Sequence, residues 1–318
     1  MSNPPLSVCV VNYNHARYIS EALESVLSQS YEPAEVIVVD DGSTDSSVEI
    51  IESFAKKHPV VRLIRNKKNM GLFYSLDLAL KNVSCEYTIT LASDDIFLPE
   101  LFEKQMGILE KYPEACMCCC DSLTRFERTG AEIINKRGLS GKACYLTAEE
   151  LTGIMRRKIV YLSGFGTIFK KRELSGTGFF PELKWSGDRI YATMIALRSG
   201  LCYVPEPLAV YRCVEGSYSV KGVKDREKHD EVLKNIFELL KTPRYSDVLP
   251  EFKRSCALAS LHLGGLRVLA ANVKYWDYLS PNLVRLVLWD EFKNAVSDYT
   301  PAAVKKIYRA LRAQAAGQ

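Results

Sequence analysis

Thr88-Ile-Thr-Leu-Ala-Ser-Asp94-Asp95-Ile-Phe-Leu-Pro99 is the stretch on which the reading of this chain turns. Apolar, β-prone residues run into two adjacent carboxylates, and Pro99 stands where a helix could open. The pattern predicts a buried strand that delivers Asp94 and Asp95 to a cleft. Two neighbouring carboxylates repel each other, so the pair is stable only with a cation or solvent between them. An ordinary strand-to-helix turn, where Asp is a favoured cap, fits the same residues. The rest of the chain decides between the two.

Three further units repeat the pattern upstream. Leu6 to Asn12 is a nearly continuous apolar run, as in strands covered on both faces. Tyr13-Asn14-His15 forms a turn, and a helix follows through Ile19, Ala22, Leu23, Val26 and Leu27, with Asn14 as its expected cap. Val36 to Val39 predicts a second strand ending in Asp40-Asp41-Gly42-Ser43-Thr44-Asp45, with Ser43 or Thr44 capping the next helix. Val60 to Ile64 predicts a third, followed by Asn69-Met70-Gly71 and a helix carrying Leu76, Leu78 and Leu80. Glu86 to Ala92 is the fourth.

Strand, polar turn and helix in repetition indicate an α/β fold with a parallel sheet. Ligands of such sheets sit beyond the carboxyl ends of the strands, near a topological switch point. Tyr13, Asp40, Asp41, Asn69, Asp94 and Asp95 all fall there. No Gly-x-Gly-x-x-Gly follows the first strand and no Gly-Lys-Ser/Thr loop occurs. A dinucleotide dehydrogenase and a P-loop enzyme are therefore disfavoured. A divalent metal, Mn²⁺ or Mg²⁺, held at Asp94 and Asp95 would neutralise phosphates in place of such a loop.

Cys116, Cys118, Cys119 and Cys120 crowd one apolar run that reads as a strand. Alternating faces prevent the four from converging on one metal, so they read as small buried hydrophobes in a reducing, cytoplasmic setting. Tyr161 to Lys170 reads as a glycine-bearing strand, and Asp188 opens a helix through Ile190, Met194 and Leu197. Asp188 there could simply complement the helix dipole. After about Lys221 the character is helical, over Lys228–Leu240, Glu251–Val273, Pro281–Val296 and Pro301–Ala313. Residues 224–318 hold 16 Lys and Arg against 11 Asp and Glu, within a chain whose net charge is +4. Lys305, Lys306, Arg309 and Arg312 share one face of the last helix, opposite Val304, Ile307, Tyr308 and Leu311. That face could lie on an anionic membrane surface, or the helix could dock on its own core or a second subunit. No run approaches the ~18 apolar residues of a membrane span, so a peripheral association is the most that is expected.

With these pieces placed, the chain resembles the family 2 inverting glycosyltransferases. The matching elements are Val8 to Asn14, Ser25 to Ser30, Val38 to Asp45, Asn69-Met70-Gly71, Ala92 to Asp95, Gly187-Asp188 and Val204 to Arg212. The likeness implies a GT-A fold over residues 1–220, with a nucleotide-sugar half to about 122 and an acceptor half beyond it. Residues 221–318 would be a helical extension. It implies a nucleotide-sugar donor, UDP-linked in most members, and a glycan or lipid-linked glycan acceptor used in surface polysaccharide synthesis; no nucleic-acid partner is expected.

By the same resemblance, Val11, Tyr13 and Asp41 would hold the base, Asn69 and Gly71 would line the donor site, and Asp94 and Asp95 would bind metal, Asp95 directly. Asp188 falls where the family carries its catalytic base. Many members have Glu before that Asp, where this chain has Gly187. Many also place a His just beyond Tyr211-Arg212, where Cys213 and Val214 stand here, so a metal ligand from that loop is in question. Two rivals remain: a nucleotidyltransferase of related sheet type, and a non-catalytic sugar-nucleotide-binding subunit.

Overall fold

The computed structural model describes residues 4–214 and 225–299. The four apolar runs form parallel strands: β1 (Leu6–Asn12), β2 (Glu35–Asp40), β3 (Val61–Arg65) and β4 (Tyr87–Ala92), in spatial order β3-β2-β1-β4. Every residue of β1 is buried, as a strand flanked on both sides and covered on both faces requires. Helices α1 (Ile19–Leu27), α2 (Ser47–Lys57) and α3 (Leu72–Asn82) make the crossovers. The chain steps from β1 outward to β3, then returns to place β4 on the other side of β1. The switch point therefore lies at the carboxyl ends of β1 and β4.

Beyond β4 the sheet becomes mixed. Short β5 (Ile96–Phe97) leads into α4 (Leu101–Lys111), which starts two residues after Pro99, past Glu100 at φ 68°. β6 (Met117–Phe126) is followed by β7 (Glu132–Asn135), β8 (Cys144–Leu146), α5 (Ala148–Met155), β9 (Thr167–Lys170), α6 (Lys171–Thr177), α7 (Gly187–Ser199) and β10 (Leu201–Cys213). β9 inserts between β4 and β6, antiparallel to both, while β10 runs parallel to β6. Along β6 the cysteines alternate as expected: Cys118 and Cys120 pack with Val8 and Val10, and Cys119 packs on the opposite face with Leu151 and Phe169. Cys119, Cys120 and the other described cysteines are all free, and burial pushes the Cys120 thiol up to about 12, which keeps it protonated and unreactive.

The helical region comprises α8 (Arg226–Lys241), α9 (Leu249–Ser255), α10 (His262–Ala271) and α11 (Pro281–Tyr299). Val232, Leu233, Ile236, Phe237 and Leu240 of α8 lie in the same apolar cluster as Ile190, Met194 and Leu197 of α7 and Ile37 of β2. Each such side chain contributes roughly 1.5–3 kcal/mol on burial. The helices thus extend the core of the sheet rather than forming a separate one.

Local structure departs from expectation in four places. Asn14 does not cap α1; it adopts φ 54° and its Oδ1 accepts from the Thr44 N–H at 2.8 Å. Neither Ser43 nor Thr44 caps α2; Asp45 Oδ1 takes the Ser47 N–H at 3.0 Å, because Ser43 is committed to Asp40. Only Thr167–Lys170 of the predicted Tyr161–Lys170 strand pairs, since Gly166 turns the chain at φ 62°. The predicted helix Glu251–Val273 is broken by left-handed Cys256 (φ 58°) and His262 (φ 52°) around a short 3-10 turn, Ala257–Leu261. All five residues of that turn are buried, which one face of a straight helix cannot achieve. The predicted helix Pro301–Ala313 lies outside the described residues.

Candidate active site

The ends of β1 and β2 are laced together beside the switch point. Asn12 Nδ2 donates to Asp40 Oδ2 at 2.8 Å, Ser43 Oγ donates to the same oxygen at 2.6 Å, and the Asn14 N–H donates to Ser43 Oγ at 2.9 Å. Asp40 is therefore a buried brace between β1 and β2. Asp41 is also buried, and clamps the turn before α3: Oδ1 accepts from Asn66 Nδ2 (2.8 Å) and the Met70 N–H (2.9 Å), and Oδ2 from the Gly71 N–H (2.8 Å). Gly42 makes the approach possible at φ 78°, since a Cβ there would sit 2.6 Å from the Lys68 carbonyl carbon. Val11 is buried and its carbonyl accepts the Ser93 N–H at 3.1 Å, whereas Tyr13 is 42% exposed and Asn69 is exposed. Tyr13 and Asn69 thus remain accessible, while Asp41 acts on the site chiefly through the turn it holds.

Asp94 and Asp95 differ sharply in environment. Asp95 is buried, and its Oδ1 accepts the Arg212 N–H at 2.9 Å. Burial, and secondly the Asp94 charge, push its carboxyl well above the usual carboxylate range, against the opposing pull of Arg212. The Asp94 side chain is 18% exposed, and His15 Nδ1 lies 3.9 Å from its Oδ1 and 2.9 Å from Ser93 Oγ. A divalent cation fits this donor set, because it would relieve the repulsion that disfavours two adjacent ionised acids. Among the described residues no three His, Cys, Asp or Glu side chains converge into a metal cage, so the remaining ligands would have to be phosphate oxygens or water.

Asp188 occupies the first turn of α7, partly exposed, with Oδ2 accepting the Gly164 N–H at 3.3 Å. Burial raises its carboxyl above the ordinary value, opposed by Arg189 and Arg137. Arg137 also builds the loop that touches it: Nε donates to the Cys120 carbonyl (2.6 Å), Nη1 to Tyr161 (2.6 Å) and Nη2 to Phe165 (3.2 Å). The Arg137 N–H in turn donates to buried Asp121 at 2.8 Å. Gly187 has a packing reason: a Cβ there would come 2.9 Å from Phe73 of α3.

The structure thus gathers Tyr13, Asp41, Asn69, Gly71, Asp94 and Asp95 at the strand ends and sets Asp188 on a separate element, α7. His15, Ser93, Arg137 and Arg212 were not singled out by sequence reasoning. His15 and Ser93 sit beside predicted turns and could have been found there; Arg137 lies in a polar stretch with no local signal.

Residues 7–146 match the family model described as Glycosyl transferase family 2. An uncharacterized glycosyltransferase of Haemophilus influenzae is 40% identical over 112 residues, covering 35% of this chain and 35% of that protein. The chain therefore spans about a third of the length of that relative. The poly-beta-1,6-N-acetyl-D-glucosamine synthase of Staphylococcus epidermidis is 24% identical over 288 residues, 86% of this chain and 68% of the synthase. Among solved structures, S. aureus TarS 1–349 in complex with UDP-GlcNAc superposes with a TM-score of 0.64 at 20% identity, covering 89% of this chain and 84% of that one. The Pyrobaculum calidifontis mannosyltransferase PcManGT, in complex with GDP-Man and Mn²⁺, gives 0.56 at 18% identity, covering 98% and 85%. The parallel strands and their loaded carboxyl ends agree with these likenesses: residues 7–146 match glycosyl transferase family 2, and the chain is similar in fold to these GT-A structures.

Proposed function

We propose that the protein is an inverting, divalent-metal-dependent glycosyltransferase that moves a sugar from a UDP-linked donor to a glycan or lipid-linked glycan in surface polysaccharide synthesis. The observation that carries this reading is the pairing of two unlike carboxylate stations. One is the Asp94–Asp95 pair at the switch point, and the other is Asp188, raised by burial and held by Gly164. Family relatives support it: one is named a polysaccharide synthase, and solved neighbours are described with UDP-GlcNAc or with GDP-Man and Mn²⁺.

Inverting transfer is a single in-line displacement. The acceptor oxygen bonds to the anomeric carbon as the bond to the leaving diphosphate breaks. Asp188 takes the hydroxyl proton, and a carboxyl whose pKa burial raises is a stronger base in its ionised form. Tyr13 offers an exposed ring beside the base, and the turn clamped by Asp41 presents Asn69 and Gly71 to the donor. Asp94 and Asp95 would hold the cation, Asp95 through the oxygen not given to Arg212. Such a cation supplies Lewis-acid stabilisation of the departing diphosphate.

Thermal stabilisation by UDP and GDP, each with and without Mn²⁺, tests the donor half of the reading. A larger rise for UDP that requires Mn²⁺ is expected; equal or absent shifts with every nucleotide would remove it. A membrane association has separate support. Leu288, Trp289 and Phe292 on α11 are each more than half exposed, Trp289 stacks on Phe292 at 5.6 Å, and the basic stretch 301–313 follows. No helix among the described residues is long and apolar enough to cross a membrane. An aromatic face followed in the sequence by basic charge suits the surface of an anionic bilayer. Flotation with phosphatidylglycerol vesicles, lost in Trp289→Ser/Phe292→Ser, is the expected result; undiminished flotation would defeat this part.

A further inference from the structure

A cavity of about 420 Å³ lies beside α7, and every described residue in its wall falls after residue 146. It is therefore built by parts of the chain outside the family-matched segment. Ser186 and Arg189, which bracket Asp188, both line it, so the cavity adjoins the proposed base. Its far wall comes from α8 and α10 of the helical region.

The chemistry of the wall is specific. Arg189, Arg226 and Arg267 contribute three guanidinium groups, and among the described lining residues there is no carboxylate. Arg267 is ion-paired with Asp230 outside the wall. Arg189 is fixed in place: Nη1 donates to the Ser260 carbonyl at 3.0 Å, and the guanidinium sits 5.5 Å from the Tyr161 ring centroid. Two aromatic pairs complete the enclosure, Tyr161 on His262 at 5.5 Å and Trp185 on His229 at 6.3 Å. Among the described residues, His229 Nδ1 is buried with no hydrogen-bond partner, an expensive state unless a ligand or water satisfies it. Burial lowers both imidazoles, so at neutral pH they serve as hydrogen-bonding groups rather than extra charges.

Guanidinium groups recognise phosphate and carboxylate through paired hydrogen bonds, and flat rings cover the apolar faces of sugars. We infer that this cavity is an acceptor subsite for an anionic sugar or polyol, whose phosphate or carboxylate is held by Arg189, Arg226 and Arg267 beside Asp188. The inference rests on the glycosyltransferase reading and adds the charge class of the acceptor to it. The helical region then supplies acceptor selectivity to a donor site common to the family.

The test uses the full chain saturated with UDP and Mn²⁺, so that the donor site is filled. Isothermal titration is performed with glucose 1-phosphate, glucuronate and glucose. At least one anion should bind, more weakly at high salt, and glucose should not; preference between the two anions distinguishes phosphate from carboxylate. Arg226→Gln/Arg267→Gln should weaken the anion at least tenfold while UDP affinity, titrated separately, stays within about twofold. If that pair of changes lowers the melting temperature, Arg226→Glu alone at its exposed position replaces it. Equal binding of glucose, no loss in the variants, or no anion binding by a UDP-bound protein would overturn the inference and leave the glycosyltransferase reading standing. Failure of UDP itself to bind would remove that reading, and this inference with it.

Discussion

Asp95 and Arg212 stand 117 residues apart, and the backbone N–H of one donates to the carboxylate of the other at 2.9 Å. Through this bond the last long strand of the mixed half grips the acid pair delivered by the parallel half. The Arg212 side chain strengthens the grip: it is buried, lies over the Tyr18 ring at 5.1 Å and pairs with Glu21. The site is a joint between two halves of the sheet, and its variants should report on both.

At Asp95, two substitutions should separate charge from hydrogen bonding. Its carboxyl is raised in the folded state, so the stability it contributes at low pH is lost as pH rises through the folded pKa. Asp95→Asn, always neutral and still an acceptor for Arg212, should raise the melting temperature near pH 7. Asp95→Ala should instead cost about 1–3 kcal/mol by orphaning a buried N–H. Both, like Asp94→Ala, should abolish the Mn²⁺-dependent part of UDP stabilisation, measured by thermal denaturation with and without metal.

Asp188→Asn should lower transfer by roughly 10²–10⁴-fold with little change in UDP affinity. The same sign argument applies: burial raises the folded carboxyl, ionising it at neutral pH is unfavourable, and the amide should melt slightly higher. In the wild type, kcat should rise with pH along an acid limb shifted above that of an ordinary aspartate. A variant with full activity would remove Asp188 from the chemistry.

Gly42→Ala tests the clamp on the turn before α3. The residue needs φ 78°, and a Cβ would press to 2.6 Å on the Lys68 backbone. A loss of roughly 1–3 kcal/mol from strain, and more from the contact, should appear in urea denaturation. UDP affinity should fall with it, since Asp41 could no longer hold Met70 and Gly71 in place.

Arg137→Met keeps bulk and removes the donors to Cys120, Tyr161 and Phe165. Leaving these carbonyls unpaired should cost about 2–4 kcal/mol. Because the loop carrying Gly164 would loosen around Asp188, kcat should fall while UDP binding holds. Equal losses in both would place Arg137 in general stability alone.

The sequence by itself determined the parallel half and the acids at its strand ends. Buried parallel strands must be continuous apolar runs, and their carboxyl ends must be polar, so β1 to β4 and the acids at 40, 41, 94 and 95 are readable residue by residue. Only the tertiary structure decided the rest. The antiparallel insertion of β9, the reach of Arg137 across 24 residues to Tyr161 and the Asp95–Arg212 bond depend on partners remote in the chain. Phe73 against Gly187 and the break at Cys256 and His262 depend on what each segment packs against. Asp94 and Asp95 show the division most plainly. Their adjacency is local and legible, but which of them is buried and which stays partly exposed follows from a strand that arrives more than a hundred residues later. Local pattern encodes how much surface must be hidden; the packing that hides it sets each group's charge and partners.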